Sequence, residues 1–432
     1  MHSFDITIEN LSKIEGHADL HVRVLNDKVK DVRLMIAENR RFYEQAVENN
    51  EIEMAPQLLS RICGTCSIAH EMCSIKSIEQ ALNMVPSQQT STLRELAMYG
   101  LMIRDHGLHL GFFSLPDLMG KDSILDFDEN NEKEHKLIHD IFDIKQAGND
   151  LSTLVVGRAV HGIFATVGGF TSFPEKEKVS QVVRSLNEVR WKAMNLVDIF
   201  SEWDQSLKSE SEFASLTNSD FSFLNGDVLV EGRRIVEKDY VNHLNEFVIP
   251  YSTSKGYEFE GKVLMVGALA RINQNKKSLH SDTRNDIKTS MFPSYNVFHN
   301  NLAQAIEIVH SIDSSLEILE GTDFKQEEIV EPDSREGEGV GIIEAPRGLL
   351  HHYVKIKNSK VVGSKVIVPT SQNQIKMEKD IGMIVENLLK VKDKKDIEWE
   401  IEKVIRAYDP CMSCAAHFLK VKWDETKLTS LQ

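Results

Sequence analysis

Two Cys-x-x-Cys pairs near opposite ends of a 432-residue chain constrain its fold more than any other feature. The first lies in Arg61-Ile-Cys63-Gly-Thr-Cys66-Ser-Ile-Ala-His70, the second in Asp409-Pro-Cys411-Met-Ser-Cys414-Ala-Ala-His417. Two intervening residues let both sulfurs of a pair turn toward one point. Four thiolates meeting there make a soft cage, suited to zinc, copper(I), iron–sulfur or nickel rather than to hard cations. A cage that joins residue 63 to residue 414 closes nearly the whole chain around itself, which predicts a central site. Three plainer uses compete. Structural zinc modules set their pairs some 12–20 residues apart, far closer than here. A thioredoxin-like redox pair needs a βαβ context, which residues 40–90 do not supply. Scattered core cysteines would not be expected at equal spacing, each pair followed by a histidine.

The chain is long enough for one large core with insertions or for two or three lobes. Its 41% hydrophobic and 27% charged content are those of a soluble globular protein. The net charge of −16, with no long run of Lys and Arg, argues against nucleic-acid binding. No secretory signal opens the sequence, and no apolar run is long enough to span a membrane. Of five cysteines, Cys73 is left without a partner, so the set is no disulfide framework. A reducing cytoplasm fits it better.

Residues 18–36 alternate apolar and polar around Asn26-Asp27, which predicts a β-hairpin. Helical spacing of apolar residues follows over 88–114, 135–165, 176–206, 296–319 and 376–406. Pro174 and the acidic Glu-Lys-Glu-Lys after it suit the start of one of these. Residues 210–262 read as short strands and loops, 272–293 as a polar surface loop, and 349–369 as strands. Gly337-Glu-Gly339-Val-Gly341 has the wrong spacing for a dinucleotide fingerprint and reads as a turn. The expected fold is mainly α with small β elements, an α+β class. A central bundle of long helices carries peripheral hairpins and short sheets.

The residues around the cysteines sharpen the reading. Arg-x-Cys-Gly-x-Cys-x-x-x-His early and Asp-Pro-Cys-x-x-Cys-x-x-His late resemble the two signature motifs of the large, catalytic subunit of nickel–iron hydrogenases. Lys13-Ile-Glu-Gly-His, Arg41-Phe-Tyr-Glu44, Glu344-Ala-Pro-Arg-Gly and Val368-Pro-Thr-Ser-Gln-Asn resemble further elements of that family. Gly157-Arg-Ala-Val-His-Gly and Asn300-Asn-Leu-Ala-Gln-Ala are similar to its cytoplasmic, multi-subunit, sulfhydrogenase-like branch. The resemblance covers residues 5–417. It implies one domain over 1–417, made of the hairpin 18–36, a helical body over 50–320 and a motif region over 335–417.

The resemblance implies a nickel–iron centre with carbon monoxide and cyanide on the iron. Cys63 and Cys411 would be terminal ligands to nickel, and Cys66 and Cys414 would bridge. Arg347 would lie over the open metal position, though an arginine in a loop is ordinarily a surface ion pair. Pro369 and Thr370 would lie beside the cyanides, where the plain alternative is a strand end. Glu15 would pass protons between the Cys411 sulfur and the exterior; otherwise it is a solvated glutamate before a glycine turn. Glu44 and His417 would help hold magnesium. Asp105 and His70 would orient the arginine and a bridging sulfur, whereas Asp105, His106 and His109 read plainly as a polar helix face.

By the same resemblance the chain would cleave H2 reversibly and heterolytically. With only Cys73 to spare, it cannot hold its own iron–sulfur cluster. Electrons would leave through an iron–sulfur small (delta-type) subunit, then diaphorase-type subunits, to NAD(P) or another soluble carrier. Residues 418–432 would be an extension cut off after His417 by a maturation protease, once nickel chaperones have loaded the metal; otherwise the tail is a retained subunit contact. Two other roles share the fold: a hydrogen-sensing regulatory subunit, and a non-catalytic scaffold like that of respiratory complex I. A zinc-held structural module is the non-enzyme alternative.

Overall fold

The computed structural model describes residues 3–38 and 42–416. An antiparallel sheet opens the chain: β1 (Phe4–Ile8), β2 (Ala18–Leu25) and β3 (Lys28–Ile36). The expected hairpin is β2–β3. Asn26 and Asp27 both take positive φ, 54° and 60°, as the tight two-residue turn requires. Inward residues Leu20, Val22 and Leu34 are buried, and β3 packs on a late helix, α7 (Pro369–Leu388).

Helix α1 (Ser67–Ala81) follows the first cysteine pair. A bundle of four long helices comes next: α2 (Gln88–Leu108), α3 (Glu132–Val156), α4 (Lys176–Ser201) and, after an insertion, α6 (His299–Gly321). The Ser87 side chain accepts from the Thr90 amide at 3.0 Å and so caps α2. Asn131 caps α3 in the same way. α3 stops at Gly157, in the left-handed conformation at φ 82°, and so does not reach residue 165 as its apolar spacing suggested. The close approach of α2 and α3 depends on Gly148, where a Cβ would lie 2.5 Å from the Arg104 backbone nitrogen.

The insertion holds β4 (Glu212–Thr217), β5 (Asp227–Val230), β6 (Arg233–Ile235), the β7–β8 hairpin (Leu244–Val248, Lys255–Phe259) and β9 (Leu264–Met265). Residues 272–293, expected as a polar surface loop, are largely helical. They include the end of α5 (Ala268–Asn275), a turn over Lys276–Ser278 and the short helix Ser281–Asp286. Most of these residues are exposed or half-buried, as their polarity suggested; what their spacing did not show is the helical backbone. Just ahead of the segment, buried Arg271 binds Glu307 and Glu344, at 2.6 and 2.9 Å.

The second correction is at residues 337–341. Gly337-Glu-Gly-Val-Gly is no turn but the start of β10 (Gly337–Ala345), which pairs with β11 (Gly348–Lys357) and then β12 (Lys360–Ile367). The three glycines face α1. A Cβ at Gly337 would stand 1.9 Å from the Ala81 carbonyl oxygen, at Gly339 2.2 Å from that of Ser77, and at Gly341 2.7 Å from that of Cys73. Two residues of strand and four of helix both advance about 6–7 Å. Alternate glycines therefore match successive helical turns.

The helical stretch expected over 376–406 is two helices, α7 and α8 (Lys394–Ala407). Asp393 separates them by accepting from the Asp396 amide at 2.9 Å and starting a new helix. Buried apolar residues form one large cluster from Ile6 to Ala416 and a smaller one between the insertion and the β10–β12 sheet. Among the described residues no helix is long and apolar enough to cross a membrane.

Candidate metal centre

Both cysteine pairs straddle helix starts. Cys63 is extended and Cys66 is the N-cap of α1, so the positive end of that helix faces the sulfurs. Cys411 caps the short helix Met412–Ala415, which contains Cys414. The chain enters this turn through Asp409 in the left-handed conformation, φ 50°. All four sulfurs are buried and lie within 4.8 Å of one another. The shortest separations are 3.3 Å for Cys63–Cys411, 3.1 Å for Cys66–Cys414 and 2.9 Å for Cys411–Cys414.

Hydrogen bonds from Cys411, Cys414 and Cys66 pull the Cys63 thiol well below its ordinary value. Burial pushes Cys411 and Cys414 well above theirs. Four buried sulfurs this close cannot all ionise on their own. A cation at their centre is what lets each carry charge, and soft thiolate donors suit nickel and other late first-row metals.

The segment Lys13–Gly16 clasps the second pair. The Glu15 carbonyl accepts from the Met412 amide at 3.0 Å. Its Oε2 accepts from the Cys411 thiol at 3.0 Å and from the Ser413 amide at 3.1 Å. Gly16, at φ 83°, permits this: a Cβ there would be 2.9 Å from Cβ of Met412. Burial, then the charge on Cys63, raise the Glu15 carboxyl above its ordinary range. From the other side, the Cys411 amide donates to the Thr370 hydroxyl at 2.9 Å. Thr370 is in the first turn of α7, whose first residue is Pro369.

Arg347 is buried beside the cage. It donates from Nε to the Asp409 carbonyl at 3.0 Å and from one terminal nitrogen to the Asp409 carboxylate at 2.9 Å. The other terminal nitrogen donates to Asp105 at 2.5 Å. Three contacts fix a charge that arginine cannot give up. His70 places Nε2 3.6 Å from the Cys414 sulfur and Nδ1 3.1 Å from Nε2 of His352. Burial lowers His70 to about 4, so its ring is neutral.

Glu44 stands apart. Its carboxylate accepts from the Val366 amide at 2.7 Å and is raised by burial. Among the described residues, the four cysteines are the only group of three or more His, Cys, Asp or Glu placed to hold one ion. His417, Arg41 and residues 418–432 lie outside the described residues.

Three residues of the site had been given no part from the sequence. Asp409 is the main anchor of Arg347; its signal was its place in Asp-Pro-Cys. Arg104 donates to the carbonyls of Thr65 and Ala159, tying the first Cys-x-x-Cys loop to α2. His352 meets His70 from β11.

The sequence matches the family model described as nickel-dependent hydrogenase over residues 41–158 and 134–417. It is 31% identical to sulfhydrogenase 2 subunit alpha of Pyrococcus furiosus, over 96% of this chain and 100% of that one. It is 28% identical to the NAD-reducing hydrogenase HoxS subunit beta of Cupriavidus necator, over 96% and 95%. Among solved structures, an NAD+-reducing [NiFe]-hydrogenase in its H2-reduced state superposes with a TM-score of 0.85 at 23% identity, covering 96% of this chain and 99% of that one.

Proposed function

The chain belongs to the nickel-dependent hydrogenase family, as a catalytic large subunit and an oxidoreductase acting on H2, and on that premise we propose how its residues share the work. The observation that carries the reading is the meeting of Cys63, Cys66, Cys411 and Cys414 within 4.8 Å. Cys63 and Cys411 would bind nickel, and Cys66 and Cys414, whose sulfurs lie 3.1 Å apart, would hold nickel and iron together. When bound, the nickel–iron pair, with carbon monoxide and cyanide on iron, supplies the Lewis-acidic, redox-active centre at which H2 is split.

The protein's part is to hold charge and move protons. The Cys411 sulfur takes the proton released on cleavage and passes it across 3.0 Å to Oε2 of Glu15. A carboxyl raised by burial suits this relay, because it accepts and releases a proton nearer neutrality. Arg347, aimed by Asp105 and Asp409, would keep a fixed positive charge beside the bound centre, over its open position. Pro369 and Thr370 would lie beside the cyanides of the bound iron, with the Thr370 hydroxyl accepting from the Cys411 amide. His70 steadies the Cys414 sulfur. Glu44, whose carboxylate accepts from the Val366 amide, would with His417 be the residues to hold a magnesium ion.

Electrons leave through a partner. Cys73 is buried and donates to the carbonyls of Gly341 and Leu350, so it offers no cluster ligand. The relatives' names describe subunits of larger hydrogenases, one of them NAD-reducing. An iron–sulfur small subunit and diaphorase-type subunits delivering to NAD(P) or another soluble carrier fit that pattern, in the cytoplasm. The fifteen residues after His417 are a maturation extension, removed by a protease after nickel chaperones have acted.

Elemental analysis of the purified complex, together with infrared bands for carbon monoxide and cyanide, tests the reading. Nickel, iron in excess of it because the partner's clusters add their own, and both band types are expected. Zinc alone would overturn it.

A further inference from the structure

His109 sits where α2 changes character. The helix ends at Leu108 and continues as a wider π turn over His109–Ser114, a distortion that recurs at functional positions. The ring is 1% exposed. Its Nδ1 lies 2.6 Å from Oε1 of Gln304, on α6, and its Nε2 lies 2.8 Å from the Arg406 carbonyl at the end of α8.

The direction of each bond follows from its partner. The Gln304 amide nitrogen donates to Oδ2 of Asp409 at 2.9 Å. A carboxylate can only accept, so the amide oxygen is what Gln304 turns to the histidine. A backbone carbonyl also only accepts. The Ser114 hydroxyl, 3.4 Å from Nε2, donates to Asn301 at 3.2 Å and again presents an oxygen. Both ring nitrogens thus face acceptors. A neutral imidazole has one N–H and would leave one buried contact oxygen against lone pair.

We infer that His109 is held as a buried imidazolium which, through Gln304, fixes Asp409 and with it Arg347 at the metal centre. The charges around it are consistent. Oδ1 of Asp409 is 3.8 Å from Nε2. Arg347 lies across that carboxylate, with Asp105 beyond it. Two cations then face two anions. The Arg406 guanidinium is engaged by Asp117 and Glu402, and Glu307, one turn along α6, by His106 and Arg271. Neither set competes for the His109 ring. His109 touches neither metal nor substrate, so it is a positioning residue. The protonation stands on geometry alone; its effect on turnover rests on the hydrogenase reading.

Neutron diffraction from the deuterated, assembled enzyme reads the ring directly. Deuterium at both Nδ1 and Nε2 is expected, and deuterium at one nitrogen only would overturn the inference whatever metal the site holds. In parallel, His109→Gln should keep nickel content and KM for H2 while kcat falls about 10- to 100-fold. Unchanged kcat in a metal-replete variant would refute the positioning role. Should that variant not fold, Gln304→Leu, which leaves His109 in place, carries the same kcat test. Zinc-only protein with a doubly deuterated ring would sink the hydrogenase reading and leave the imidazolium standing.

Discussion

Replacing Glu15 with glutamine separates proton transfer from every other role of that side chain. Glutamine is isosteric, so its amide oxygen can still accept from the Ser413 amide, now 3.1 Å from Oε2. The backbone contact between Glu15 and Met412 is untouched. The Cys411–Cys414 turn therefore keeps its place, and metal loading is expected to stay at the wild-type level. What is lost is a group that can take a proton from Cys411. A positioned acid–base group contributes about 10²–10⁴-fold, equivalent to roughly 3–5 kcal/mol of barrier. The assay is exchange between deuterium gas and solvent protons, with nickel content measured on the same samples. Glu15→Asp is the control, because it keeps the carboxyl but withdraws it by about one bond, ~1.5 Å, from the present 3.0 Å contact. It should fall between the two. A Glu15→Gln protein with full nickel and wild-type exchange would refute the reasoning, since protons would then be leaving Cys411 by another path.

Cys414→Ser replaces a sulfur that lies 2.9 and 3.1 Å from two others. Nickel-deficient, inactive protein that keeps its residues beyond His417 is expected, by metal analysis and intact mass; wild-type activity would break the ligand assignment. Gly339→Ala puts a methyl 2.2 Å from the Ser77 carbonyl oxygen and 2.4 Å from the Ala81 nitrogen. It should cost about 1–3 kcal/mol and lower the thermal midpoint, and an unchanged midpoint would contradict the strand-on-helix packing. Burial raises the Glu71 carboxyl to about 8, opposed by the Gln57 hydrogen bond. The folded state thus holds this proton where the unfolded chain has lost it, and stability falls as pH rises from about 4.5 to about 8. Glu71→Gln should remove that fall, gaining on the order of 5 kcal/mol at pH 9 but not at pH 4; parallel urea midpoints for the two proteins would sink the assignment.

What could be read in advance was whatever depended on local spacing. The hairpin turn at Asn26-Asp27, the long amphipathic helices, and two cysteine pairs that could share one centre all follow from residues close in sequence. Partners distant in sequence stayed hidden. The Gly337–Gly341 run has meaning only beside α1, which the chain has left more than 250 positions earlier, as the Cys73–Gly341 bond spans 268. Just before the polar run from 272, Arg271 is buried because Glu307 and Glu344 meet it there. No period in the sequence reports such a partner. At the site, the cysteines announce themselves by number and pattern. Asp409 and Arg104 do not, because each acts on backbone or on another side chain. His109 looked like one more polar position on a helix face until the elements packed against it were in view.

The cage also sets a schedule. Cys63 and Cys411, in contact when the chain is folded, are 348 positions apart. At a synthesis rate of about 5–20 residues per second, the first pair of thiols emerges roughly 17–70 s before the second. Through that interval Cys63 and Cys66 are exposed to oxidants and to whichever soft metal arrives first, with half the coordination sphere not yet made. The complete site exists only after translation has passed Cys414. Correct metallation is therefore a post-translational event, and the cell must keep the early pair reduced and uncommitted until then.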